Sequence, residues 1–181
     1  MDLKKVEDAI KLLLEGLGED TEREGLKDTP VRVAKMYEEL LSGREESAKE
    51  HLLKTFNAPT GELVIEKDIA FSSLCEHHLM PFFGKIAIAY IPNGKVVGLS
   101  KLARVVEVYA RRLQLQERMT EEICSAVYRY LKPIGVMVIC EAEHTCMTAR
   151  GIKKVGSKTL SYSVKGDMPE SMRANIFNLI R

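Results

Sequence analysis

The sequence predicts an α+β protein in which helices cover one face of an antiparallel β-sheet. Two observations carry that prediction. The apolar residues switch from a helical period to an alternating one and back, giving the order α-α-β-β-α-α-β-β-α. The length of 181 residues, at about 150 per domain, suits one core with an appended helical segment. Residues 1–60 read as that N-terminal helical segment and residues 61–181 as the sheet-bearing domain.

Leu3, Val6, Ala9, Ile10, Leu13 and Leu14 recur at helical spacing over residues 2–15, and Gly16 and Gly18 stop the helix. Asp28-Thr29-Pro30 sets a capping residue before a proline whose missing N–H costs nothing in a first turn. A second helix therefore runs to about Leu41, before Gly43. The charged stretch 44–50 reads as a solvated helix end or loop. Residues 63–71 and 83–91 are β-rich, and the connection between them, 72–81, carries Cys75, His77 and His78. Pro92-Asn93-Gly94 turns the chain back through 96–99 to Ser100, read as the N-cap of a helix bearing Leu102, Val105, Val106 and Tyr109. A helix over 117–131 ends before Pro133. Strands over 134–143 and 158–165 flank a connection with Gly151 and Gly156, and a helix over 172–180 closes the chain.

Composition excludes several functions. With 45% hydrophobic residues, 12 Gly and 6 Pro, the chain can bury a core. A net charge of +1 provides no broad field of the kind that releases counterions from nucleic acid, though a local anion site is allowed. The longest apolar runs, such as 134–140, fall far short of the ~20 residues that cross a bilayer, so no membrane partner is expected. Met1-Asp2-Leu3-Lys4-Lys5 does not resemble a secretory leader, and a cytoplasmic location is the expectation.

Without a disulfide-forming context, the four cysteines read as buried thiols, ligands or nucleophiles. Cys124 and Cys140 lie in apolar runs and read as core. Cys75 and His78 are three residues apart, close enough for one turn to aim both at one ion. His144 and Cys146, two apart, would project to the same side of an extended chain. Together they suggest zinc. A closed Cys2His2 site would only hold loops together, whereas a catalytic site keeps three protein ligands and one open position. The surplus imidazoles favour the second, since they supply proton carriers near neutral pH. A third reading makes Cys75 or Cys146 a nucleophile activated by a neighbouring histidine.

Ser100 and Lys101 at a helix start, with Arg104 one turn on, offer N–H groups, a hydroxyl and two cations to phosphate oxygens; surface cations at helix starts are also common. Arg150 adds a cation four residues past Cys146. Gln116-Glu117 opens the next helix, where a carboxylate suits the dipole and could serve only as a cap. No Gly-x4-Gly-Lys-Ser/Thr sequence occurs, so a nucleotide would not be held by a P-loop.

The segments 73–82 (SLCEHHLMPF), 97–104 (VGLSKLAR), 113–120 (LQLQERMT) and 143–151 (EHTCMTARG), with 28–37 (DTPVRVAKMY), resemble zinc-dependent GTP cyclohydrolase I over essentially the whole chain. The resemblance implies the tunnelling fold, in which strands from several subunits close a barrel. It further implies a homodecamer of two pentameric rings, active sites between subunits, and conversion of GTP and water to formate and 7,8-dihydroneopterin triphosphate on the way to folate or biopterin. By resemblance Cys75, His78 and Cys146 match zinc ligands. His144 matches the acid at guanine N7, His77 a second proton carrier, and Ser100 a group in the ribose rearrangement. Glu117 matches the carboxylate that reads guanine N1–H and the 2-amino group, and Gln116 a base contact. Lys101, Arg104 and Arg150 match triphosphate contacts, joined by Arg32 and Lys35 from a neighbouring subunit. Two competitors are a thiol-dependent tunnelling-fold nitrile reductase and a noncatalytic zinc-stabilised purine-nucleotide module. Neither gives both His77 and His144 a task beside the Cys75, His78 and Cys146 set.

Overall fold

The computed structural model describes residues 1–58 and 61–180. They form two compact units, Met1–Ser42 and Gly43–Arg181. In the first, helices α1 (Leu3–Gly16) and α2 (Thr29–Leu40) pack on each other. The Asp2 carboxylate caps α1 by accepting from the Lys5 N–H at 3.0 Å, and Pro30 sits in the first turn of α2.

The second unit is built on strands β2 (Val64–Cys75), β3 (Pro81–Ile91), β5 (Leu113–Gln114), β6 (Gly135–His144) and β7 (Lys158–Gly166), in sheet order β5-β2-β3-β6-β7. All neighbours are antiparallel except β5, which runs parallel to β2. Strands β1 (Thr55–Asn57) and β4 (Lys95–Val97) make a separate antiparallel pair. Helices α4 (Leu99–Ala110) and α5 (Gln116–Leu131) cover one face, burying Leu102, Val105, Met119 and Ile123 against Ile86, Ile88 and Val138.

The expected cover of one face holds for α4 and α5. Helix α7 (Glu170–Ile180) goes to the other face, where Ile176 packs with Ala87, Ala89, Met137 and Ile139. The reason lies in β3 and β6, which are apolar at successive as well as alternate positions, so both faces must be shielded from water. Near the His144 end of that pairing Gly84 is tightly backed. A Cβ there would stand 1.9 Å from the Glu141 carbonyl oxygen, so only glycine lets the two backbones approach this closely.

Three local expectations are corrected. The stretch 44–50 is not wholly solvated, because helix α3 (Ala48–Leu52) begins in it and buries Ala48 and Leu52. The N-cap of α4 is Gly98, which leaves Ser100 within the first turn. Strand β2 runs on through Ser72 and Ser73 to Cys75, so Cys75 ends a strand and the connection shrinks to residues 76–80.

Candidate metal and proton-transfer site

The cluster begins where β2 ends. The Cys75 N–H donates to the Met80 carbonyl at 2.9 Å, while the His78 and Leu79 N–H groups donate back to the Cys75 carbonyl at 3.3 and 2.8 Å. Leu79 takes a left-handed φ of 55°, which closes this turn and brings the His78 ring over Cys75, with Nδ1 3.7 Å from Sγ. Cys146 arrives from the far end of β6. It does not share an extended segment with His144, because β6 stops at His144 and the helical turn α6 (Thr145–Thr148) carries Cys146 around. The ligand atoms of Cys75, His78 and Cys146 lie within 4.8 Å of one another.

The donor set fits a divalent soft-to-borderline cation. Burial, and the Cys75 sulfur beside it, push the Cys146 thiol above its ordinary value. A cation beside it would reverse that preference and make the Cys146 thiolate a favourable ligand. Among the described residues this group has three members, and His77 and His144 stand outside it. A closed four-ligand site is therefore not formed by Cys75, His78, His144 and Cys146.

His144 is held separately. Its Nε2 lies 2.7 Å from Gln116 Oε1, and its ring stacks on Phe82 at a centroid distance of 4.6 Å. Burial lowers its affinity for a proton below the ordinary histidine value, with the nearby Glu117 carboxylate opposing the shift. His77 is exposed, its ring edge-on to His78 at 6.2 Å. The Arg150 guanidinium donates to His78 Nε2 at 2.9 Å, which draws that cation to the cluster. Glu117 is exposed in the first turn of α5, where the helix dipole favours its charge.

Three other expected site residues stand apart from these contacts. Ser100, Lys101 and Arg104 occupy the first turns of α4, and no hydrogen bond joins them to the cluster among the described residues. Arg32 and Lys35 lie exposed on α2 in the first unit, Arg32 paired with Asp28 at 3.4 Å.

The family described as GTP cyclohydrolase I matches residues 6–181. The chain belongs to the GTP cyclohydrolase I family. Curated relatives named GTP cyclohydrolase 1 include one from Clostridium kluyveri, 55% identical over 100% of this chain and 99% of its own length. Another, from Pelotomaculum thermopropionicum, is 56% identical over 99% of this chain and 97% of its own. A solved apo structure of an archaeosine synthase QueF-Like matches with a TM-score of 0.50 at 20% identity, covering 62% of this chain and 99% of that one, a likeness of fold alone. The α+β tunnelling-fold expectation agrees with both comparisons.

For a GTP cyclohydrolase I family member, several residues around the cluster escape a reading of the sequence. Phe82 closes one of the motifs above, yet only the pairing of β3 with β6 places its ring against His144. Arg118 ties the metal-side loop to α5, donating to Glu76, to the Leu113 carbonyl at 3.1 Å and to Gln114 Oε1 at 3.0 Å. Thr120 and Ser161 meet at 2.9 Å beneath Gln116. Thr120, four residues after Gln116, is the one sequence signal for this contact. Cys124 and Cys140 are core thiols, which burial pushes up to about 11 and about 12.

Proposed function

We propose that the chain is a zinc-dependent GTP cyclohydrolase I, converting GTP and one net water to formate and 7,8-dihydroneopterin triphosphate. The observation that carries this reading is the convergence of Cys75, His78 and Cys146 beside His144 and Arg150 in a chain of this family. Cys75, His78 and Cys146 would hold Zn2+, which when bound supplies a Lewis acid that makes water nucleophilic near neutral pH.

The chain's own groups supply the rest. His144, half-buried against Phe82, gives a proton to guanine N7, which makes C8 electrophilic. His77, exposed beside the cluster, carries protons during ring opening. Glu117 accepts from N1–H and the 2-amino group; a base lacking that donor pair would leave a desolvated carboxylate unpaired, at a cost of about 1–3 kcal/mol or more. Arg150 takes triphosphate oxygens, with Lys101 and Arg104 from α4 and Arg32 and Lys35 from a neighbouring subunit. Ser100 serves the ribose rearrangement before the pterin ring closes.

The working unit in this reading is a cytoplasmic homodecamer of two pentamers, with sites between subunits. Support comes from β7, an edge strand of nine residues with Leu160 and Tyr162 exposed, suited to pairing with a strand of another copy. The activity test is to incubate purified protein with GTP and follow the neopterin chromophore. Zinc-replete protein is expected to produce it, chelated protein is not, and its absence from zinc-replete protein would refute the proposal.

A further inference from the structure

We infer that Gln116 is a positioning residue that fixes which nitrogen of His144 faces the substrate: Nε2 carries a hydrogen held by Gln116, and Nδ1 is the atom that gives or takes a proton. The inference rests on the reading of His144 as the acid at the guanine ring.

The amide orientation follows from its acceptors. Gln116 is 1% exposed, so every polar atom of its side chain must be satisfied within the protein. One end of the amide lies 3.1 Å from the Cys140 carbonyl oxygen, 3.0 Å from that of Thr159 and 3.0 Å from Ser161 Oγ. Carbonyl oxygens only accept, so this end is the NH2 group, and the flipped amide would set oxygen against two carbonyls. The other end, 2.7 Å from His144 Nε2, is then the carbonyl oxygen. It can only accept, and Nε2 must be the donor.

A second chain of hydrogen bonds enforces the same direction. The Thr120 hydroxyl donates to the Gln116 main-chain carbonyl at 2.7 Å, so its oxygen is left to accept from the Ser161 hydroxyl at 2.9 Å. Ser161, with its hydrogen committed to Thr120, can only accept from Gln116 Nε2. Strands β6 and β7 thus hold the side-chain amide through Cys140, Thr159 and Ser161, while Thr120 of α5 bonds the Gln116 main chain. Phe82, 1% exposed, holds the imidazole plane to within 6° of its own, and within that plane a half-turn about Cβ–Cγ would set Cε1 in place of Nε2 and lose the bond to Gln116.

Gln116 is uncharged and bonds to the same ring atom before and after proton transfer, so it does not itself take the proton. Fixing the hydrogen on Nε2 leaves a single competent arrangement, an orientational gain of the kind that a hydrogen bond to the far ring nitrogen gives a metal-bound histidine. A role at the guanine base makes a different prediction: it would act through binding, and its loss would raise KM.

The test uses the zinc-loaded full chain labelled with 15N-histidine, read by solid-state NMR, with the His144 signals assigned by their loss in His144→Asn. The expected pattern for neutral His144 is a protonated Nε2 and a bare Nδ1 in wild type. Gln116→Leu is expected to give a mixture of tautomers and a kcat at least 10-fold lower with KM within 2-fold. Ser161→Ala, which leaves both carbonyl acceptors in place, is expected to retain the wild-type pattern. A protonated Nδ1 in wild type would overturn the inference, even if Gln116→Leu does not fold. So would a raised KM at unchanged kcat in that variant. The tautomer is read without turnover. If His144→Asn keeps full activity, the acid role of His144 fails while the NMR result separately decides whether Gln116 sets the tautomer.

Discussion

The rings of Phe82 and His144 lie parallel, 4.6 Å apart, because the two residues are direct partners across the antiparallel pairing of β3 and β6. The stack joins the core to the site, since Phe82 is itself edge-on to Phe71 in the cluster beneath the sheet. Phe82→Ala should cost about 3–5 kcal/mol through the cavity it leaves. Phe82→Leu should cost no more than about 1.5 kcal/mol and still lower kcat, because an aliphatic side chain fills space without fixing the imidazole plane. Urea unfolding alongside steady-state kinetics checks both. Unchanged kcat in Phe82→Leu would mean that Gln116 alone orients the ring.

Metal binding and proton transfer should separate by mutation. Cys146→Ala removes one of three ligand atoms and is expected to abolish zinc binding and turnover together. His144→Ala leaves that group whole and is expected to keep one zinc per chain while losing turnover by at least about 100-fold. Metal analysis of the two purified variants decides, and loss of zinc from His144→Ala would contradict the division.

Thiol reactivity should follow burial and metal binding. At pH 8, Cys124 and Cys140, pushed up to about 11 and about 12, hold a thiolate fraction of about 0.001 or less. They should resist iodoacetamide in the folded protein with or without chelator. Cys146, half-exposed, should be labelled once chelator is present and protected when zinc is bound. Mass spectrometry of tryptic peptides reads all four cysteines, and labelling of Cys146 in zinc-replete protein would remove it from the ligand set.

Glu117→Ala should weaken recognition of the base without emptying the metal site. The expected result is a KM for GTP raised at least about 10-fold at unchanged zinc content. Unaltered KM and kcat would refute its assignment.

Gly84→Ala tests the sheet itself. The new Cβ would meet backbone on the partner strand, which cannot swing aside as a flexible side chain would. A loss of about 3 kcal/mol is expected in urea unfolding, and wild-type stability would show that β3 and β6 can separate locally.

Legibility in the sequence follows the size of each signal. Helix α1 and strands β3 and β6 announce themselves through long apolar periods. The short elements do not. Strands β1 and β5, of three and two residues, have no period to show and exist because neighbours pair with them. The end of β2 was hidden by Ser72 and Ser73, which look like loop residues, yet Ser73 is buried and its hydroxyl donates to the Arg112 carbonyl at 3.4 Å. At the site, the ligand types and the spacing of Cys75 and His78 were readable, because one turn joins them. The roles of Phe82 and Gln116 were not, since a ring stack and an amide orientation depend on register between segments distant in the chain.

The most direct measurement of the central claim follows the carbon that leaves. With GTP labelled by 13C at C8, zinc-loaded protein should release one labelled formate per GTP consumed, stop when zinc is chelated and resume when zinc is restored. Label retained in the purine ring, or formate release indifferent to chelator, would contradict the account.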